Sequence, residues 1–226
     1  SDPDGSITPK NTKWYEYNPS GDEYNGASLK NGINITLNEA HIGMRLVAVF
    51  TYSDGVYANK AVSSPTDVIN GPPTGLNSSV PLILAENDSP GVIGQMIATD
   101  PNGDPITYSL VSGTGDMHNH LFELESNGTL SILGSVDYET HSSLAIRVRA
   151  SDDKGSIEEQ DILINVTNID ESPTGSVDIS GTPEVGQTLV ASNTLTDPDG
   201  MGSITYDWSL NGNFHSRAAS LVLDQS

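Results

Sequence analysis

The sequence predicts an all-β protein of tandem β-sandwiches, with a central Greek-key sandwich of about seven strands between two partial ones. Three observations point there. Apolar residues alternate with period two: Leu144, Ile146, Val148 and Ala150 fall on one face of a strand, while Ala145, Arg147 and Arg149 fall on the other. Turn formers are abundant, with 22 Gly and 13 Pro cutting the 226 residues into short runs. The chain also repeats itself. Ser1-Asp2-Pro3-Asp4-Gly5 returns as Thr196-Asp197-Pro198-Asp199-Gly200, and Trp14 returns as Trp208.

Residues 1–70 read as one partial repeat. A strand begins near Trp14, and Ile33, Ile35 and Leu37 alternate with polar residues as in a half-buried strand. Met44, Leu46, Ala48 and Phe50 alternate with Arg45, Val47, Val49 and Thr51, and Ser53-Asp54-Gly55 turns the chain into a return strand through Val56-Tyr57 and Ala61-Val62. Asn70-Gly71-Pro72-Pro73 is a linker. Residues 76–170 give strands at 80–84, 94–99, 105–111, 120–124, 128–132, 143–151 and 156–166. Residues 174–226 form the second partial repeat, in which Ser220-Leu221-Val222-Leu223-Asp224 corresponds to Asn34-Ile35-Thr36-Leu37-Asn38. It has the opening part, and the first copy has the closing hairpin. A sheet left open seeks partners, so exchange of that hairpin between molecules is an expected route to oligomers. The equivalent positions of Trp14 and Trp208 predict core packing for both.

The net charge is −21, from 9 basic and 30 acidic residues, which disfavours nucleic acid and anionic membrane surfaces as partners. No apolar run is long enough to cross a bilayer as a helix. No signal peptide is visible, and the chain opens and stops within motifs, as a segment of a longer protein would. Cysteine is absent, which suits a bacterial surface protein better than a disulfide-bonded animal one. Met117-His118-Asn119-His120 has zinc-like spacing without further ligands placed by sequence, so a solvated loop is the expectation.

The acidic and amide residues are not spread evenly. They fall at Glu86, at Asp100 with Asn102, at Asp137 with Glu139, at Asp152, and at Asn168, Asp170 and Glu171. Carboxylates and amides gathered at strand ends supply the oxygen ligands that calcium takes. Asp-Pro-Asp-Gly is equally ordinary turn chemistry. Paired carboxylates also serve glycoside hydrolysis, but that needs a cleft and one raised pKa, so no enzymatic activity is expected.

These residues carry a resemblance. Residues 76–173 resemble a cadherin repeat. Ala85-Glu86-Asn87 stands for its Pro-Glu-Asn element, Asp100-Pro101-Asn102 for Asp-x-Asp, and Phe122 to Gly128 with Leu130 for its hairpin. Val136-Asp137-Tyr138-Glu139 stands for Leu-Asp-Arg-Glu, Ala150-Ser151-Asp152 with Gly155 for Ala-x-Asp-x-Gly, and Asn168-Ile169-Asp170-Glu171-Ser172-Pro173 for the linker. Asn102 and Asn168 replace aspartates of the pattern. The flanking repeats are similar to the immunoglobulin-like tandem repeats of giant bacterial adhesins.

The resemblance implies calcium at both ends of the central sandwich. At one end it places Glu86, Asp137, Glu139, Asn168, Asp170 and Glu171, meeting Asp197 and Asp199 of the next repeat. At the other it places Asp100, Asn102 and Asp152, facing the linker around Asn70. The implied role is a calcium-stiffened extender of a large extracellular adhesin at a cell surface, whose partners are the neighbouring repeats of its own chain. A carbohydrate- or peptide-binding module is the alternative. Homophilic adhesion of the animal type has less support, because the central repeat has no Trp.

Overall fold

The computed structural model describes residues 8–21, 24–53 and 58–223. The first Asp-Pro-Asp-Gly turn at residues 2–5, the Asp54-Gly55 turn with Val56-Tyr57, and Asp224 lie outside the described residues. The described chain is strand and turn apart from two short 3-10 turns, and its contacts divide into two compact units. Ser1–Leu82, Pro90–Gly134 and Leu144–Ile164 make one; Ile83–Ser89, Ser135–Ser143 and Asn165–Ser226 make the other.

In the first unit, β1 (Thr8–Tyr17), β2 (Tyr24–Asn31), β3 (Leu46–Ser53) and β4 (Ala58–Val62) form an antiparallel sheet in the order β2-β1-β3-β4. The alternation expected over 44–51 gives way here, since Leu46, Val47, Ala48 and Val49 are all buried. The chain after β4 runs back along β3 and supplies the reason. Ser63 and Thr66 donate N–H bonds to the Ala48 and Leu46 carbonyls, and their hydroxyls accept the N–H groups of the same two residues.

Residues 34–38 form no strand, and Ile33 and Leu37 are 79% and 51% exposed. Asn38 instead caps the 3-10 turn Glu39–His41, accepting from the Ala40 N–H at 3.1 Å while His41 Nδ1 accepts the Asn38 N–H. A local side-chain cap thus competes successfully with sheet pairing. It also breaks the expected equivalence with residues 220–224, where Ser220–Val222 is a strand.

The same unit holds most of a two-sheet sandwich. β5 (Thr74–Ser78), β7 (Gly91–Thr99), β10 (Thr129–Ile132) and β9 (Phe122–Leu124) form one sheet in that order. In the other, β11 (Ser143–Asp152) lies between β8 (Ile106–Leu110) and β12 (Ile157–Thr167). Leu76, Met96, Phe122, Leu130 and Ile132 from the first sheet and Leu144, Ile146, Val148, Ala150, Ile162 and Ile164 from the second are buried, so the predicted inward faces hold. The expected strand at 80–84 is a crossing point instead. Pro81 interrupts it, β5 pairs with β7, and the chain moves to β6 (Ile83–Ala85), which pairs with β12 in the other sheet.

In the second unit, β6 runs parallel to the end of β12, with Ala85 opposite Thr167. β13 (Val177–Ser180), β14 (Thr188–Asn193) and β17 (Ser220–Val222) form an antiparallel sheet in that order. β15 (Asp207–Leu210) and β16 (Asn213–Arg217) form a hairpin across Asn211-Gly212, both at positive φ. Val177, Ile179 and Ala191 of the sheet and Tyr206 and Trp208 near the hairpin line a cavity of about 260 Å³. Trp14 and Trp208 are half-buried rather than core, and each indole donates to a backbone carbonyl, Gly32 at 3.1 Å and Ala218 at 2.9 Å.

Candidate metal centres

Two groups of three carboxylates stand out among the described residues, one in each unit. In the first unit, β7 ends at Thr99 and Asp100 is the first residue beyond it, while β11 ends at Asp152. The antiparallel register sets Asp152 opposite Ile106, so the loop leading into β8 arrives beside the end of β11. Asp100, Asp104 and Asp152 then place carboxylate oxygens within 4.8 Å of one another.

Asp100 is 9% exposed and Asp152 is 6%. Asp100 Oδ1 accepts the N–H groups of Asn102 (2.8 Å) and Asp104 (3.1 Å). Its Oδ2 is buried and accepts nothing from the described residues. Asp152 Oδ1 accepts from the Lys154 and Ser156 N–H groups, and Oδ2 from the Asn70 amide at 2.6 Å. Burial works against the charged Asp152, but the Asn70 amide and these N–H groups hold its carboxyl below the usual range.

The expected ligand Asn102 sits in this group but faces the linker: its Oδ1 accepts the Gly71 N–H at 2.8 Å, and its amide donates to the Ile69 carbonyl. Asp104 and Lys154 join this group without a signal in the sequence pattern. The Lys154 ammonium is 2.7 Å from Asp153 and 3.7 Å from Asp104. Neither falls on a position of the six-element pattern, although Asp104 follows Asn102 by only two residues.

In the second unit, parallel pairing of β6 and β12 makes both strands leave at the same end. Glu86 follows β6, and Ile169 to Glu171 follow β12. Glu86 is 1% exposed, and its oxygens accept the N–H groups of Ile169 (2.6 Å) and Tyr138 (2.8 Å). Glu86, Glu139 and Glu171 have carboxylate oxygens within 4.8 Å of one another. Asn87, at φ 61°, swings its amide to Glu171 Oε1 at 2.6 Å, leaving Oε2 buried and unpartnered. Asp199 joins through hydrogen bonds, accepting from the Asn168 amide (2.7 Å) and the Glu171 N–H (2.6 Å). The same Asn168 amide reaches Glu139 at 3.1 Å.

The charges in this second group oppose one another. Burial, then the neighbouring Glu86 and Glu171, push the Glu139 carboxyl up. The Asn87 amide pulls Glu171 down, yet burial and the charges of Glu86 and Asp199 leave it raised. Asp199 is held low, first by the Glu171 N–H and then by the Asn168 amide. Among the described residues no Lys or Arg pairs with these four carboxylates.

Three expected ligands stand apart from the groups. Asp137 closes a turn, accepting from the Thr140 hydroxyl at 2.7 Å and the Glu139 N–H. Asp197 accepts the Asp199 N–H at 3.0 Å, and Asp170 is exposed. The His-x-His loop has a structural duty: His118 Nδ1 accepts the Ala145 N–H, and Asn119 bonds both Arg147 and Val111.

A buried carboxylate oxygen without a donor is costly unless a cation faces it. Asp100 Oδ2 and Glu171 Oε2 are two such atoms, one in each group. The donors are all oxygen and no cysteine is present, which suits a hard divalent ion and excludes a thiolate site.

No family model matches the chain. It is 30% identical over 143 residues to protocadherin Fat 1 of Homo sapiens, covering 60% of this chain and 3% of that protein. It is 30% identical over 151 residues to human cadherin-related family member 3, covering 61% and 16%. The fold is cadherin-like. The chain therefore spans only a small part of these cadherin relatives. Among solved structures, cadherin domains 1–4 of protocadherin gamma B7 align with a TM-score of 0.48 at 16% identity, covering 97% of this chain and 59% of that one. The third cadherin domain of human protocadherin 7 aligns at 0.37 with 27% identity, covering 47% and 95%. No helix among the described residues is long and apolar enough to cross a membrane.

Proposed function

We propose that this chain is a calcium-dependent structural segment of an extracellular adhesion protein. The observation that carries the reading is a buried, unpartnered carboxylate oxygen in each of two three-carboxylate groups. Asp100, Asp104 and Asp152 would hold an ion in one unit. Glu86, Glu139 and Glu171, with Asp199 beside them, would hold ions in the other. Bound calcium supplies positive charge to carboxylates that otherwise repel, and it links segments distant in sequence. The role is mechanical and not catalytic: an ion held by Asp100, Asp104 and Asp152 would tie the linker around Asn70 to the 100–104 turn, and one held by Glu86, Glu139 and Glu171 would tie in the 197–200 turn through Asp199.

The domain plan that goes with this role is a cadherin-like sandwich at 76–170 between partial immunoglobulin-like repeats at 1–70 and 174–226. The absence of cysteine and the repeated Asp-Pro-Asp-Gly sequence support a place in a large bacterial surface adhesin, displayed outside the cell.

Calcium titration of the full chain by calorimetry tests the reading, alongside Asp100→Asn and Glu171→Gln. Extracellular calcium modules bind at about 10⁻⁴–10⁻³ M. Heat of binding in that range, reduced by each substitution, is the expected result. A chain that takes up no calcium at about 10 mM, far above such constants, overturns it.

A further inference from the structure

The two carboxylate groups differ in one component. The aspartate group has a lysine beside it, and the glutamate group has none among the described residues. Lys154 follows Asp152 by two residues in the turn that returns β11 into β12, and its own N–H bonds Asp152 Oδ1 at 2.9 Å. Its ammonium is held 2.7 Å from Asp153 and lies 3.7 Å from Asp104, and the residue lines a cavity of about 530 Å³ together with Asp67, Asn70, Asn102 and Asp104. The Asn70 amide also points a donor at Asp152 Oδ2. Part of the negative charge that would attract an ion is thus answered by the chain's own groups. Asp100 Oδ2, on a carboxylate that is only 9% exposed, still has no partner, so the group is not closed without an ion.

We infer that Lys154 is a tethered counter-cation that makes the aspartate group the weaker of two unequal calcium sites, filled after the glutamate group and emptied before it. The inference rests on the calcium reading above. A divalent ion entering the aspartate group meets three carboxylates and one ammonium whose charge Asp153 partly offsets. In the glutamate group it meets three carboxylates, with Asp199 hydrogen-bonded beside them, and no ammonium among the described residues. Lys154 is half exposed, so solvent screens its repulsion. The expected gap is therefore modest, on the order of tenfold in dissociation constant.

Side-chain amides provide a separate reporter for each group. Asn70 and Asn102 touch the aspartate group or its linker, and Asn87 and Asn168 bond the carboxylates of the glutamate group. Calcium is titrated into the full ¹⁵N-labelled chain and these amide resonances are followed. The Asn87 and Asn168 signals are expected to move first, and those of Asn70 and Asn102 at about tenfold higher calcium. Lys154→Met keeps the aliphatic stem and removes the charge. It should bring the Asn70 and Asn102 midpoint down by about the same factor and leave the other midpoint in place. Lys154→Arg should behave as the parent.

Coincident midpoints in the parent chain overturn the inference. So does a Lys154→Met chain whose Asn70 and Asn102 midpoint is unchanged, or one in which those amides never respond. If no amide in either group responds in the parent or the variant, the calcium reading itself falls. That outcome is distinct from calcium binding that ignores Lys154.

Discussion

Glu86 and Glu171 contribute the same charge to one cluster, but their substitutions should separate. Glu86 accepts two backbone N–H groups in a buried setting. Glu86→Ala leaves the part-buried Tyr138 and Ile169 N–H groups without their carboxylate acceptor, at about 1 kcal/mol for each lost bond. The melting temperature should fall with calcium and without it, as read by circular dichroism. Glu171→Gln removes a repelling charge and keeps the shape, so calcium-free stability should hold or rise while calcium stabilisation shrinks. Equal losses for both variants in the calcium-free protein would contradict the assigned duties. Glu86 was legible in the sequence because it belongs to a patterned element. Asp137 and Asp197 were legible as acids, but not the bonds they make within their own turns. A carboxylate two residues before a backbone N–H can cap that turn or face outward, and spacing alone does not choose.

The turns that join strands set the limits at the next scale. Gly128, between β9 and β10, has φ 93°, and a Cβ there would lie 2.6 Å from the Met96 carbonyl oxygen. Gly128→Ala combines backbone strain with a clash against β7, so a loss of about 1–3 kcal/mol is expected, read as a lower urea midpoint. The hairpin at Phe122 to Leu130 was readable because Gly marks its turn and apolar residues alternate around it. The strand at 80–84 was not, because five apolar or neutral residues conceal a change of sheet at Pro81. Residues 33–37 misled in the opposite sense: the alternation is present, but Asn38 and His41 close a local turn and no strand pairs with it. Alternation reports a face that could be buried; burial needs a partner strand, which sequence periodicity does not supply.

Across the whole chain, 30 acidic residues against 9 basic ones make stability depend on pH and, on the proposed function, on calcium. Glu139 and Glu171 have folded-state pKa values raised above those of an unfolded chain. The folded state then binds more protons across that interval. Their contribution to stability is complete below the unfolded value and is lost as pH rises through the folded one. Asp137, Asp152, Asp199 and Glu159 are lowered, so they stabilise above their unfolded values and fail as pH falls through their folded ones. Calcium-free protein should therefore melt higher at mildly acidic than at neutral pH, then lose stability on further acidification. With calcium the mild-acid gain should vanish, because protons compete with the ion. A calcium-free melting temperature that only declines from neutral pH downward would contradict this. Where the ion binds the folded state alone, calcium at about 100 times its dissociation constant adds about 2.7 kcal/mol.

The parallel register of β6 with β12 has a consequence in time as well as in free energy. It draws Glu86 together with Glu171, which follows it by 85 positions in the chain. Such a contact is expected to close late, after the strands that position it have paired. An ion held there would be absent from the folding transition state and present in the native one. Calcium should leave the refolding limb of a stopped-flow chevron where it is and lower the unfolding limb by nearly the whole stabilisation it provides. For a segment under tension, that resistance to opening counts for more than the equilibrium it shifts.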